Sequence, residues 1–158
     1  MSLYDWLLFL HVLGAFALVG ALTLFSIVIV ATWRAERPSD IVAFAGLTRV
    51  GGLLVGAGTV MTIVFGVWLA IDVDQYRVWD GWMIVAIVLW AIGAETGRRW
   101  VVAYGKIGAE AARLAQSDDS PRPGLLAQVR SGQAVGMQLT STAAVLVILA
   151  DMIWKPGA

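Results

Sequence analysis

The chain contains no cysteine and a single histidine, His11, among its 158 residues. Without cysteine there are no disulfides, thiolate metal sites, iron–sulfur clusters or cysteine nucleophiles. With one histidine, no His–His metal pair and no bis-histidine haem forms within one copy. Charge is also scarce: 14% of residues are charged, and eleven basic side chains cancel eleven acidic ones. No Lys/Arg run makes a phosphate-tracking patch, which argues against a nucleic-acid partner. A nucleophile–base constellation, a phosphate-binding loop and a zinc signature are all missing, so ordinary hydrolase chemistry is not expected.

What the chain has in excess is apolar sequence. Hydrophobic residues make up 59% of it and the mean hydropathy is +0.81, well above the roughly 45 to 50% apolar usage of soluble domains. A water-soluble fold has too little polar surface to cover that much apolar material, so the lipid bilayer is the expected solvent. Four apolar stretches, from Leu3 to Trp33, Ile41 to Ile71, Trp79 to Trp100 and Gly124 to Trp154, each exceed the ~18 to 20 residues that cross ~30 Å of hydrocarbon. Helix-boundary chemistry separates them. Ser2 with Asp5 reads as a capping box, Ser39 as a cap, and Ser120 to Gly124 as a breaker. The first stretch lacks a basic n-region and is about twice the length of a signal-peptide apolar core, so it is expected to stay in the mature protein.

The distribution of charge sets an orientation. Arg34, Arg37 and Arg49 follow the first stretch; Arg98, Arg99, Lys106, Arg113, Arg122 and Arg130 follow the third; Arg77 and Lys155 alone fall on the other side. By the positive-inside rule both termini lie outside. Asp5, Asp72, Asp74, Asp80 and Asp151 give the outer face an acidic character. Trp6, Trp68, Trp79, Trp82 and Trp154 fall at outer ends in this threading, and Trp33 and Trp100 at inner ends, where interfacial indoles belong. "YDW" (Tyr4 to Trp6) and "WDGW" (Trp79 to Trp82) share this interface chemistry without forming a longer repeat. Tyr104 to Gln116 continues the third helix as an amphipathic extension at the inner interface, with Lys106, Glu110 and Arg113 on one stripe and Ile107 and Leu114 on another. Glycine pairs at four-residue spacing, Gly52/Gly56, Gly93/Gly97 and Gly132/Gly136, mark faces where helices can pack closely. Those faces are expected inside the chain, and also leave room for a homodimer or a larger membrane complex.

His11 is the best lead to chemistry. It lies about five residues inside the Trp6 level, ~7 to 8 Å by helical rise. A neutral imidazole there either hydrogen-bonds to a neighbouring helix or serves as a ligand, since ionisable groups in hydrocarbon tend to face a bundle interior or pathway. Imidazole is a common ligand for haem iron and copper. Met83 and Met152 fall at comparable depth, and their soft thioethers suit haem iron or Cu(I), although packing is the commoner use of methionine. A second constellation lies at the inner side, with Arg49, Glu95, Arg98, Arg99, Gln133 and Gln138. Glu95 precedes Arg98 and Arg99 by three and four residues and so can pair locally. Alternatively, Glu95 and Gln133 begin a polar path for a transporter or channel component, which Thr59, Thr62, Thr140, Ser141 and Thr142 would extend.

"FLHVLGAFALVGALTLF" (Phe9 to Phe25), with His11 nine residues before Gly20, resembles the first helix of a group of small bacterial four-helix membrane proteins. That group includes predicted integral membrane proteins of unknown function. More distantly, the chain is similar to copper-resistance membrane proteins and to the membrane-embedded protoporphyrinogen oxidase. The resemblance implies a haem or copper ligand role for His11. Leu18 and Val19 stand where copper-resistance relatives carry an aromatic residue, and Val28 to Val30 are apolar where the oxidase has a basic one. The chain is thus expected to be a single all-α domain over residues 1–158, a bundle of four transmembrane helices with both termini outside. A multi-pass protein of the bacterial inner membrane is the expected setting, with a cofactor site at His11, Met83 and Met152 and an accessory-subunit role in a larger complex as an alternative.

Overall fold

The structure, a computed structural model, describes residues 2–72 and 79–155, so Asp74 and Arg77, expected on the outer side, lie outside the described residues. The described chain is all α: α1 (Leu3–Trp33), α2 (Pro38–Asp72), α3 (Gly81–Ser117), α4 (Pro123–Val129) and α5 (Gly132–Trp154). The capping box at the start of α1 is present, with the Asp5 N–H donating to Ser2 Oγ at 3.2 Å and the Ser2 N–H donating to Asp5 Oδ2 at 2.7 Å. At α2 the expected cap is replaced. Asp40 Oδ2 accepts the N–H groups of Glu36 and Arg37 at 2.9 and 3.0 Å. Ser39 instead donates its N–H and hydroxyl to the Asp119 carboxylate at 2.8 and 2.5 Å, tying the start of α2 to the α3–α4 turn.

Two element boundaries differ from the sequence reading. The third stretch does not end at Trp100; α3 runs unbroken for 37 residues and takes in the amphipathic extension. The fourth stretch is two helices, because Ser131 is extended at φ −67° and ψ 132°. Ser131 and Gly132 are weak helix formers. The Arg130 side chain next to them is drawn toward α1, donating to the carbonyls of Trp33 and Ala35, each at 3.1 Å. Those carbonyls at the helix end have no partner within α1.

Packing divides the bundle into two close pairs, α1 with α2 and α3 with α5, joined mainly where α2 lies on α3. The glycines that make the first pair are not those of the four-residue motifs. A Cβ at Gly51 would strike the Phe25 ring, one at Gly58 would sit 2.8 Å from the Gly14 carbonyl oxygen, and one at Gly66 would sit 2.7 Å from the His11 ring, while Gly52 and Gly56 face open space. Gly132 and Gly136 are likewise open, and of the expected pairs only Gly93 and Gly97 meet a neighbour, at Ala144 and Ser141 of α5. The four-residue rule identified which residues were small but not which side of the helix they occupy.

Phe25, Val28, Trp100 and Tyr104 centre the main core. Trp100 stacks on Tyr104 at 4.3 Å between centroids and lies 4.7 Å from Phe25. Trp100 is fully buried here, and Trp82 nearly so, instead of presenting their indoles to an interface, whereas Trp6, Trp68, Trp79 and Trp154 are exposed. Beyond Trp100, Ile107 and Ala111 of α3 pack with Leu125 and Val129 of α4 and with Ala35 and Ile41 around the α1–α2 turn. The amphipathic extension therefore buries its apolar stripe against protein. Elsewhere the usual burial order is inverted. Phe16 and Leu53 are each 70% exposed, while Thr32, Gln138, Ser141 and Asp151 are buried. Three helical stretches, 3–33, 38–71 and 123–154, are long and apolar enough to cross a membrane. The apolar run of α3 stops sooner, at Glu95.

Candidate functional site around His11

His11 is held in a cradle made by α2. Its Nδ1 lies 2.8 Å from the Thr62 carbonyl oxygen. A carbonyl only accepts, so Nδ1 carries the proton and, in the neutral ring, Nε2 keeps its lone pair. Gly66, one turn further along α2, admits the ring, because any Cβ there would lie 2.7 Å from Cε1 and Nδ1. One turn deeper, Gly14 and Gly58 bring the two backbones together. Thr62 Oγ1 is buried beside Gly14 with no hydrogen-bond partner among the described residues. An imidazole whose inner nitrogen is fixed by a backbone carbonyl is oriented as metal-binding histidines are. It is equally an interhelical hydrogen bond in its own right.

Met83 and Met152 converge with one another. Met83 is buried with Ala70 and Trp82, and Met152 packs on the same cluster. His11 instead hydrogen-bonds to Thr62 and packs its ring against Gly66, one turn from Ala70 along α2. Asp151, which the charge pattern placed on the acidic outer face, is inside: it is 8% exposed and its Oδ2 has no hydrogen-bond partner among the described residues. The signal for this was the helical phase of α5, since Asp151 lies two turns beyond Ala144 on the same stripe as Ala134, Gln138 and Ser141.

The inner constellation resolves into separate contacts. Glu95 is bridged by Arg98 Nε at 2.8 Å and Arg99 Nε at 2.7 Å, both on its own helix and exposed. Gln133 is exposed. Gln138 turns inward and donates from Nε2 to the Leu22 carbonyl at 3.1 Å, pinning α5 to α1. Ser141 donates to the Gly93 carbonyl at 3.2 Å and shares a 2.8 Å hydrogen bond with Thr96. Gln138 and Ser141, expected near a polar path, thus close helix–helix contacts, while Glu95 pairs within its own helix and Gln133 is exposed. Thr140 bonds back to Gly136, as membrane hydroxyls commonly do.

Among the described residues no three of His, Cys, Asp and Glu gather around one point. A cavity of about 340 Å³ lies between α3 and α4, lined by Glu110, Arg122 and Leu125 among others, and one of about 120 Å³ lies between α1 and α5 at Leu22, Ser26 and Thr142. His11 lines neither. A porphyrin therefore has no preformed slot at His11 in either cavity.

An all-α chain with lipid-length apolar helices, outward-facing Phe and Leu and inward-facing Gln and Asp is built as an integral membrane protein. The comparison with protein families agrees. Residues 5–156 match the family described as "Predicted integral membrane protein (DUF2269)", and the chain belongs to it. No curated protein and no solved structure matches. The likeness to copper-resistance proteins and to the oxidase gains no support from these comparisons, and the family description carries no activity.

Proposed function

We propose that this is a four-span protein of the bacterial inner membrane, with both termini outside, that holds a metal centre near the outer leaflet through Nε2 of His11. The observation that carries this reading is the 2.8 Å hydrogen bond between Nδ1 and the Thr62 carbonyl oxygen, which fixes the ring and leaves Nε2 to bind. A copper ion fits the donors better than haem iron, since the other candidate ligands at this end are the soft thioethers of Met83 and Met152, which share one cluster. Helix α3 supplies the fourth span in this reading. Its support is the alignment of α3 with α5: Gly93 meets Ala144 and Trp82 meets Lys155, so residues 82–100 run at the depth of a helix that is long enough to cross.

Protein purified in mild detergent tests the ligand role through its bound copper and its absorption near 400 nm. The wild type is expected to retain copper and His11→Ala to lose it. A Soret band lost in His11→Ala would assign haem in place of copper. No copper and no Soret band in the wild type, or retention unchanged in His11→Ala, would refute the reading.

A further inference from the structure

Asp151 poses a problem that packing does not solve. An ionised carboxylate in an apolar setting is costly unless it is paired or hydrogen-bonded, and Asp151 Oδ2 is buried without a partner among the described residues. Its position follows from the α3–α5 register. Gly93 lies on Ala144, with 3.3 Å between a Cβ at residue 93 and that of Ala144, and Lys155 Nζ lies 5.6 Å from the Trp82 ring centroid. The two contacts are eleven residues apart on both antiparallel helices, which places Asp151 opposite Ala86, a buried small residue. Met83 is one turn from Ala86 toward the outer end, and Met152 follows Asp151 directly and packs on the Met83 cluster.

We infer that Asp151, Met83 and Met152 form a site for a soft monovalent cation, Cu(I) or its redox-inert analogue Ag(I), between the outer ends of α3 and α5. Charge and softness both point to this ion. One monovalent cation balances the Asp151 carboxylate, whereas a divalent ion would add a further positive charge close to the Lys155 ammonium, which already lies 5.6 Å from the Trp82 ring of the Met83 cluster. Thioethers select soft ions over sodium, magnesium or calcium, whose ligands are oxygens. The inference deepens the proposed function by naming the ion's charge and adding Asp151 as a ligand, and it rests on reading this end of the bundle as metal-binding. It does not rest on His11.

The test is silver retained per chain by the full-length protein in detergent after desalting, with a titration for affinity. About one Ag(I) per chain is expected for the wild type, with affinity reduced about tenfold or more in Asp151→Asn and in Met152→Leu. Met152→Leu keeps the packing volume and carries the test if Asp151→Asn fails to fold. If binding survives in His11→Ala but is weakened in these two, the inference stands and the His11 ligand role falls. Should His11→Ala abolish binding while Asp151→Asn and Met152→Leu bind as the wild type does, the inference is overturned and the His11 reading stands. Absence of silver from the wild type overturns the inference as well, and copper or haem at His11 is then decided by the copper and Soret measurements.

Discussion

Gly14 of α1 and Gly58 of α2 touch backbone to backbone: a Cβ on Gly14 would lie 2.9 Å from the Gly58 carbonyl oxygen, and one on Gly58 2.8 Å from that of Gly14. Lipid offers no hydrophobic drive for helices to associate, so a van der Waals seam of this kind, with the His11 hydrogen bond above it, holds the pair together. Gly14→Ala forces backbone apart and is expected to cost about 1 to 3 kcal/mol. Gly56→Ala, on the open side of α2, should change little. Unfolding midpoints in a mixed-detergent titration compare the two, and equal midpoints would contradict the seam.

Arg130 ties the α4–α5 break to the end of α1 through the Trp33 and Ala35 carbonyls. Arg130→Ala is expected to destabilise the protein by about 1 kcal/mol. Lysine should restore only part of the loss, because a single ammonium replaces a planar fork that reaches two carbonyls. Thermal unfolding in detergent measures both variants, and full rescue by lysine would contradict the two-carbonyl contact.

The absence of cysteine makes the threading directly testable. Ser2→Cys and Lys155→Cys are expected to react with a membrane-impermeant maleimide on spheroplasts, while Ser117→Cys reacts only after lysis. Three spans would leave the two ends on opposite sides, so labelling at one end alone would remove α3 from the set of spans.

Acid should loosen the α3–α4 corner first. Hydrogen bonds from Arg113 hold Glu110 below its ordinary value of 4.5, and hydrogen bonds from Ser120, with help from the Arg122 charge, hold Asp118 below its ordinary 3.8. Groups depressed in the folded state contribute stability above their unfolded values, and that contribution is lost as pH falls through the folded ones. Both carboxylates are exposed, so the effect is small and local. Hydrogen exchange across residues 110–125 is expected to rise in acid relative to the rest of the bundle, with no change between neutral and mildly alkaline pH. Glu110→Gln should weaken the acid response, and an identical response would count against this account.

The sequence was read correctly where one chain segment carries the whole physical reason. The capping box needs only Ser2 and Asp5, and the pairing of Glu95 with Arg98 and Arg99 needs only helical spacing. Reading failed where a second element decided the outcome. The small residues of α2 were visible, but α1 selects Gly51, Gly58 and Gly66 over Gly52 and Gly56. Asp151 looked like one more outer acid, and Trp100 like an interfacial indole, until their neighbours were in place. The shared depth of Met83 and Met152 was legible from helix spacing, but that Met152 packs on the cluster holding Met83 was decided by the fold.

Composition alone therefore determined the solvent and the class of structure, because a chain this apolar must satisfy its backbone within helices when water is absent. Which side of each helix turns inward was decided only by the tertiary fold. That choice depends on close contacts between segments far apart in the chain, such as Gly14 on Gly58 and Gln138 on Leu22, whose energies act between helices and leave no local trace in either one.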